Sequence, residues 1–306
     1  MYKLKQQPDD FNVEEVSNIK IDETGKYTYF SVKKKNYTTL RAVEAIASKL
    51  NILPKKIGFA GNKDKKAITT QLFSAEKISK SRLEGIKLKD IEITFKGKGD
   101  VPICLGDLEG NSFEIVIRNI NSKPKMKKEF INYFGEQRFS KNNAQIGKSI
   151  VKKDFKTAVE LISEGDGIIE KKIKKFLSKN PKNYVGALRT IPKKILSLYV
   201  HAYQSLLWNK QAEISSEEYV PIIGFDTNID SKIIKQEKIN CRDFIIKQIP
   251  SLSSEGGKRK RIVNAANVSI SELEDDELNK SKKKVLIKFT LPKGSYATEF
   301  VKNLFQ

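Results

Sequence analysis

The sequence predicts an α+β protein in which one sheet draws on both ends of the chain and a helix-rich segment interrupts it. Up to about residue 148, runs with strand periodicity mix with single helical segments and do not form a regular βαβ repeat. Residues 151–214 then carry longer, lysine-rich helical patterns. A strong strand pattern returns near the C-terminus, so we expect the two chain ends to share a sheet.

Strands are predicted in the first half where apolar residues alternate with polar ones, or where β-branched and aromatic residues cluster. These strands are Lys26–Lys35, Ile57–Ala60, Ala67–Ala75, Asp90–Phe95 and Ser112–Arg118. A helix is predicted at Thr38–Leu50, because a capping threonine precedes apolar residues at helical spacing. A second helix is predicted at Pro124–Phe134.

The middle of the chain is predicted to be mainly helical and the C-terminus to return to the sheet. The predicted helices are Val151–Ser163, Gly167–Phe176 and Pro192–Ile214, the last with Pro192 near its first turn. Short strands at Tyr219–Gly224 and Arg242–Ile249 and a basic loop at Ser251–Arg261 follow. The chain closes with a strand at Val285–Leu291 and a helix at Ala297–Phe305.

The composition excludes several classes of protein. With 39% hydrophobic residues in 306, the chain is not of the disordered type, and no apolar stretch approaches the roughly 20 residues of a membrane span. The N-terminus has no apolar region typical of a secretory signal, so we expect a cytoplasmic protein. The net charge of +21 predicts a polyanionic partner. No long heptad pattern or apolar stripe appears, which favours a monomer.

Most kinds of catalytic or cofactor site lack the residues that they need. The chain has one histidine, His201, and two distant cysteines, which makes a zinc site improbable. No glycine-rich phosphate-binding motif lies between a strand and a helix.

One loop remains as a candidate site. In the segment IGFAGNKDKKAITTQ at Ile57–Gln71, Asp64 stands between Lys63 and Lys65. It could be a solvated charged turn. It could also hold a carboxylate nucleophile, because nearby cations favour the ionised form of a carboxylate, which can attack carbon.

This loop and four further stretches resemble the TruD family of tRNA pseudouridine synthases, in the order of the family's motifs. The loop segment GFAGNKDKKAITTQ is similar to the family signature. The other stretches are KQQPDDFNVEE from Lys5, GNSF from Gly110, NYFGEQRF from Asn132 and LPKGSYAT from Leu291. The stretch from His201 to Asn209 resembles the archaeal and eukaryotic branch more than the bacterial one.

The resemblance implies a set of site residues. Asp64 would be the catalytic nucleophile and Lys5 would pair with it. The resemblance also implies substrate-binding roles for Phe11, Asn111, Phe113 and Tyr296, although Phe11, Phe113 and Tyr296 could be plain core. Two cationic residues are further candidates: Arg138 could bind a phosphate or brace the loop, and Lys63 could contact a phosphate or lie on the solvated surface.

The resemblance also implies a fold and an activity. Residues 1–148 and 283–306 would form a pseudouridine synthase catalytic domain with a mixed, mainly antiparallel sheet and flanking helices, and residues 149–282 an α/β TRUD insertion domain. The implied reaction converts uridine to pseudouridine in tRNA, at position 13, with no cofactor and no metal. A non-catalytic RNA-binding protein or RNA chaperone on the same scaffold, and a basic anion-binding module, are the alternatives.

Overall fold

The computed structural model of the chain describes residues 2–136, 142–165, 167–229 and 231–306. They form two compact units. The sheet unit comprises Met1–Glu129 and Asn264–Gln306, and the helical unit comprises Phe130–Val263. Both chain ends therefore build one unit, as the sequence predicts. The bounds 149 and 282 of the insertion domain stay a prediction, since the division into compact units falls earlier in the chain at both ends.

The sheet unit contains one large sheet with helices. Its elements are β1 (Phe11–Val16), β2 (Tyr27–Lys35), α1 (Thr39–Leu50), β3 (Ile57–Phe59), β4 (Ile68–Glu76), α2 (Lys80–Glu84), β5 (Ile91–Gly99), β6 (Gly110–Ile120), β11 (Ala266–Ile270), β12 (Glu274–Asp275), β13 (Lys283–Pro292) and α9 (Ala297–Leu304). The strands and helices whose numbers are missing from this series belong to the helical unit, described below.

The strands of the described sheet lie in the order β11-β13-β6-β1-β4-β2-β5, with β12 on β13 and β3 on β4. Among these pairs only β1 and β4 run parallel. The predicted α+β class with a mixed, mainly antiparallel sheet is thus confirmed. The strands from the two chain ends meet where β13 pairs with β6.

Helices α1 and α9 pack on one face of this sheet. On α1, the buried positions Ala42, Val43, Ile46 and Leu50 pack against Phe30 of β2 and its neighbours. The helix starts at Thr38, whose hydroxyl accepts a hydrogen bond from the Arg41 N–H. Towards the other edge of the sheet, on the same face, Phe300 of α9 packs against Phe289 of β13. By strand register Phe30 and Phe289 share a sheet face, so α1 and α9 flank the strands between them.

The helical unit is built around one long helix. Its elements are β7 (Glu129–Ile131), α3 (Asn143–Val151), α4 (Phe155–Ser163), α5 (Ile168–Lys179), α6 (Tyr184–Arg189), α7 (Lys193–Ile214), β8 (Tyr219–Ile222), α8 (Lys232–Glu237), β9 (Gly257–Lys260) and β10 (Ile262–Asn264). Helix α7 supplies Val200, Tyr203 and Leu207 to the core. The chain enters and leaves the unit through β7 and β10. Within the described residues, no helix is long and apolar enough to cross a membrane.

The prediction of a helix at Pro124–Phe134 is wrong. The segment is extended and contains β7, and its residues Phe130, Asn132 and Phe134 are buried at alternate positions, as in a strand. The cluster of lysines before Phe130 also disfavours a helix through like-charge repulsion. Long-range bonds replace helical ones, because the Lys125 N–H donates to the Leu304 carbonyl.

Two further segments of the helical unit differ from prediction. The strand predicted at Arg242–Ile249 is a 3₁₀ turn at Cys241–Phe244, where the Asn240 N–H donates to the Asp243 carboxylate over 2.8 Å. Such local side-chain bonds compete with strand pairing. The basic loop predicted at Ser251–Arg261 contains strand β9, which pairs with β8.

Candidate active site

The candidate site lies on the sheet face between α1 and α9. Strand alternation directs Glu15 of β1 to this face, and the register sets it opposite Asn111 of β6. Two positions earlier, Val13 lies between Phe113 of β6 and Thr69 of β4. The polar side chains on this face are therefore concentrated at the end of β1, beside the loop of residues 60–67 that joins β3 to β4. We call residues 60–67 the site loop.

Two hydrogen bonds hold the site loop to the sheet and to α1, and a third, buried bond joins the two side chains that support it. The side-chain amide of Gln71 donates to the backbone carbonyl of Gly61 over 3.0 Å, and the backbone N–H of Lys63 donates to the Thr39 hydroxyl over 2.9 Å. That hydroxyl donates in turn to the side-chain oxygen Oε1 of Gln71 over 2.9 Å. Since Thr39 and Gln71 are both buried, these bonds fix the loop on a rigid support.

Asp64 projects from the site loop and forms an ion pair with Lys5. The Lys5 Nζ donates to Asp64 Oδ2, although 59 residues separate the two in sequence. The Asp64 side chain is 43% exposed, so its carboxylate remains open to a ligand. The Lys5 Nζ also lies 4.0 Å from the centre of the Phe11 ring, in a cation–π contact. Phe11 thus supports the cation that holds the carboxylate.

Lys63 forms a second ion pair, which is buried. Its Nζ lies 2.8 Å from Glu15 Oε2, and the two side chains are only 7% and 1% exposed. The same Nζ donates to Asn111 Oδ1 over 2.7 Å. Because an ammonium group cannot accept a hydrogen bond, this contact requires the Asn111 oxygen to face Lys63. The Asn111 NH₂ group therefore points away from Lys63.

Two of the aromatic residues predicted for the site, Phe11 and Phe113, form a continuous series of ring contacts with Phe289. Phe11 and Phe113 meet edge to face with centroids 6.2 Å apart, and Phe113 stacks on Phe289 at 5.1 Å. Phe11 and Phe113 are buried, so they form the floor beneath the polar groups rather than exposed walls. Tyr296 is partly exposed and stands just before α9.

Comparison with known proteins identifies the family. The sequence model of the family described as tRNA pseudouridine synthase D (TruD) matches residues 2–166, 164–225 and 221–304. The chain belongs to the TruD family. It is thus a tRNA pseudouridine synthase, an isomerase.

Individual relatives agree with this TruD assignment along the whole chain. The tRNA pseudouridine synthase D of Aquifex aeolicus is 29% identical, over 99% of this chain and 98% of its own length. The probable tRNA pseudouridine synthase D of Nanoarchaeum equitans is 30% identical over the same shares. A crystal structure of a Methanosarcina mazei protein assigned as TruD superposes with a TM-score of 0.81 at 26% identity, covering 99% of this chain and 93% of that one. The curated relatives are mostly archaeal, in agreement with the predicted branch.

Two of the described TruD motif residues, Phe134 and Asn209, lie in the helical unit and contribute to its packing. Phe134 and Asn209 exchange two bonds, since the Phe134 N–H donates to Asn209 Oδ1 over 2.9 Å and the Asn209 amide donates to the Phe134 carbonyl over 3.0 Å. The guanidinium of Arg259 covers the Phe134 ring at 4.1 Å. The NYFG motif and the motif ending at Asn209 therefore meet in one cluster. The predicted substrate-binding residue Arg138 lies outside the described residues.

Sequence reasoning missed Lys34, which is buried on the site face of β2. It is only 1% exposed, and its Nζ donates to the Tyr37 carbonyl over 2.6 Å. Burial lowers the pKa of Lys34 to about 8, while the Asp64 charge raises it and the Lys63 charge lowers it. The sequence does contain a signal for its burial, because Lys34 follows Phe30 and Val32 at alternate positions and so shares their buried face of β2. The same alternation along β1 marks Glu15.

Replacing Lys34 by methionine is expected to stabilise the protein at neutral pH. The pKa of about 8 lies below that of an exposed lysine, so the protonated group destabilises the fold below pH 8 by roughly 3 kcal/mol, and this penalty fades as the pH rises from about 8 to about 10.5. Loss of the Tyr37 bond offsets part of the gain. We therefore expect Lys34→Met to raise the free energy of unfolding at pH 7 by about 1–2 kcal/mol, as measured by urea denaturation.

The matched control for this substitution is its exposed neighbour Lys33, which faces Glu92 across 3.8 Å. Lys33→Met is expected to change the stability by less than about 0.5 kcal/mol at any pH. The gain from Lys34→Met is expected to shrink by pH 10. A loss of stability at pH 7, or a gain that does not vary with pH, would contradict the buried-charge interpretation.

Proposed function

We propose that this TruD protein converts uridine to pseudouridine at position 13 of tRNA, with Asp64 as the nucleophile. The observation that carries the proposal is the Lys5–Asp64 ion pair, in which a partly exposed carboxylate is oriented by a lysine from a distant segment. The position in tRNA is the one that the motif resemblance implies. A purely RNA-binding protein is not favoured, because binding alone does not require an oriented carboxylate on a buried support.

The reaction breaks the bond between N1 of uracil and C1′ of ribose and forms a bond between C5 and C1′. The hydrogen on C5 leaves as a proton, and N1 gains a proton, so the reaction is an isomerisation without net redox change. The target nucleotide has to leave the RNA stack, which costs a few kcal/mol. Asp64 acts as an ionised nucleophile on a carbon of this nucleotide, either C1′ of the ribose or C6 of the base.

Asn111 and the aromatic residues bind the extruded uracil. The Asn111 carbonyl oxygen is occupied by Lys63, so its NH₂ group donates to a carbonyl oxygen of the base. Tyr296 stacks on the base, and Phe11 and Phe113 form an apolar floor that excludes water. Lys63 contributes by orienting Asn111, since its ammonium group is buried between Glu15 and Asn111 and is not presented to a phosphate.

Tritium release tests the proposed reaction and its position together. Isomerisation of 5-tritiated uridine frees the label from C5 into water. We expect release from a tRNA transcript with uridine at position 13, and none from the same transcript with cytidine there. Release from both transcripts would overturn the position but not the activity. Absence of release from any labelled tRNA would overturn the activity.

The RNA backbone is bound in part by the lysines of α5. This helix presents an exposed basic face, formed by Lys171, Lys172, Lys175 and Lys179. The basic residues 258–261 are less suited to this role, because Arg259 donates to the Asn132 carbonyl over 2.9 Å and Arg261 donates to the Ala212 carbonyl over 2.8 Å. Replacing all four residues there would remove contacts that hold the helical unit together.

Replacing the four α5 lysines by serine is expected to weaken tRNA binding by about tenfold or more at low salt. Each lost phosphate contact also reduces the slope of log K against log salt by about 0.7–0.9. The measurement is a binding titration at several salt concentrations. The control replaces the same lysines by arginine, which keeps the charge and should keep the affinity. Equal affinities and equal slopes for the serine variant and the wild type would contradict the assignment.

A further inference from the structure

The segment before β1 carries Lys5 outside any strand, with fixed points on both sides. Lys3 pairs with Arg118 through two backbone bonds of 2.8 and 3.0 Å, and a 3₁₀ turn covers Pro8–Asp10. Between these points Lys5 adopts a left-handed backbone conformation with φ of 54°. A non-glycine residue holds such a conformation only when its surroundings impose it. Chain termini are otherwise prone to fraying.

Both of these fixed points depend on the buried guanidinium-bearing residue Arg118, which pairs with Lys3 and binds Asp10 of the turn. Arg118 is 3% exposed, and its Nε donates to Asp10 Oδ1 over 2.9 Å, while its Nη1 donates to Asp276 Oδ1 over 2.9 Å. Burial disfavours the charged guanidinium, but hydrogen bonds to Asp10, Glu277 and Asp276 outweigh that effect, so the pKa of Arg118 is raised. The other Asp10 oxygen accepts the Gln7 N–H over 3.0 Å. Arg118 thereby anchors the end of the segment that follows Lys5.

A further anchor is Asn279, which contacts the side chains of residues on both sides of Lys5. Its Oδ1 accepts a bond of 2.7 Å from Lys3 Nζ, and its Nδ2 donates over 2.7 Å to Gln6 Oε1. The same Nδ2 donates to Asp276 Oδ2 over 2.7 Å. Asp276 in turn accepts the Asn119 N–H over 2.8 Å. Asp276, in the acidic stretch of residues 272–277, therefore links Asn279 to strand β6.

We propose that Asn279 is a positioning residue for the reaction, which acts by holding Lys5 in place against Asp64. This inference rests on the proposed role of the Lys5–Asp64 pair. Asn279 contacts the side chains of Lys3 and Gln6, which flank Lys5 and belong to no strand of the sheet. Loss of Asn279 removes the two side-chain contacts that flank Lys5 and leaves the sheet strands paired. The C-terminal part of the chain thus sets the geometry of a lysine near the N-terminus.

A double-mutant cycle in turnover tests the inference. The cycle uses the full-length wild type, Asn279→Ala, Lys5→Met and the double variant, with kcat and KM from tritium release. Asn279→Ala is expected to lower kcat about tenfold and to leave KM within twofold. Lys5→Met is expected to lower kcat further, and the double variant should equal Lys5→Met, because Asn279 has nothing left to position. Unfolding midpoints are recorded for all four proteins.

The control is Asn303→Ala, another asparagine of the sheet unit, whose amide donates to the Glu129 carbonyl over 3.1 Å. It is expected to leave kcat within twofold of the wild type. Losses that multiply in the double variant would overturn the inference, since Asn279 would then act independently of Lys5. An unchanged kcat for Asn279→Ala would also overturn it. An unchanged kcat for Lys5→Met would overturn the proposed role of Lys5 itself. If Asn279→Ala does not fold, Gln6→Ala replaces it in the cycle.

Discussion

Asp64→Asn is expected to lower the rate of tritium release from tRNA by roughly 10³-fold or more. The substitution keeps the size of the side chain and removes its charge, so a nucleophilic attack on carbon is lost. The fold is expected to remain, because the Asp64 side chain is 43% exposed and the site loop is held by Thr39 and Gln71. Affinity for tRNA should stay within about threefold, since Asp64 makes no favourable contact with phosphate.

The control for this experiment is Asp9→Asn. Asp9 forms an ion pair with Lys35 over 2.7 Å, and its side chain is 52% exposed, so this pair resembles Lys5–Asp64 in kind and exposure. Asp9→Asn is expected to keep turnover within about twofold of the wild type, as for an exposed ion pair. If Asp64→Asn kept wild-type turnover while folded and bound to tRNA, Asp64 would be excluded as the nucleophile.

Much of the site could be located from the sequence because its residues lie in short local motifs. The site loop carries Lys63 and Asp64 side by side, and the structure brings Lys5 to Asp64. The sequence could not define what surrounds them. Whether Lys63 meets solvent or Glu15 depends on the register between β1 and β6, which joins segments nearly 100 residues apart. The link from Asn279 to Lys3, which spans 276 residues, had no sequence signal.

The same contrast between local and distant causes applies to the fold. Strand β2 and helix α1 follow their predicted bounds closely, because a pattern of period two or a capped helical pattern is contained within each. The segment Pro124–Phe134 carries a mixed pattern, and its structure is decided by partners elsewhere, among them Leu304 and Arg261. Such tertiary pairing overrides local propensity.

Lys63→Met is expected to lower the free energy of unfolding of the sheet unit by about 3–5 kcal/mol. The substitution leaves the Glu15 carboxylate 1% exposed and without its ammonium partner, and a buried unpaired charge is costly. Urea unfolding is best followed by circular dichroism. The one tryptophan, Trp208, lies in the helical unit, so its fluorescence reports on that unit and not on the sheet.

The partner substitution separates the cost of the unpaired charge from the contribution of the pair. Glu15→Gln combined with Lys63→Met removes both charges, and the double variant should recover most of the stability that Lys63→Met loses. Lys288→Met is the control, because Lys288 and Glu114 form an exposed pair on the same sheet, 2.6 Å apart, and its loss should cost less than about 1 kcal/mol. A similarly small loss for Lys63→Met would contradict a desolvated pair. Turnover of both Lys63→Met and the double variant should be below that of the wild type, because Asn111 then has no ammonium group to fix the direction of its amide. In the double variant this loss should persist despite the recovered stability.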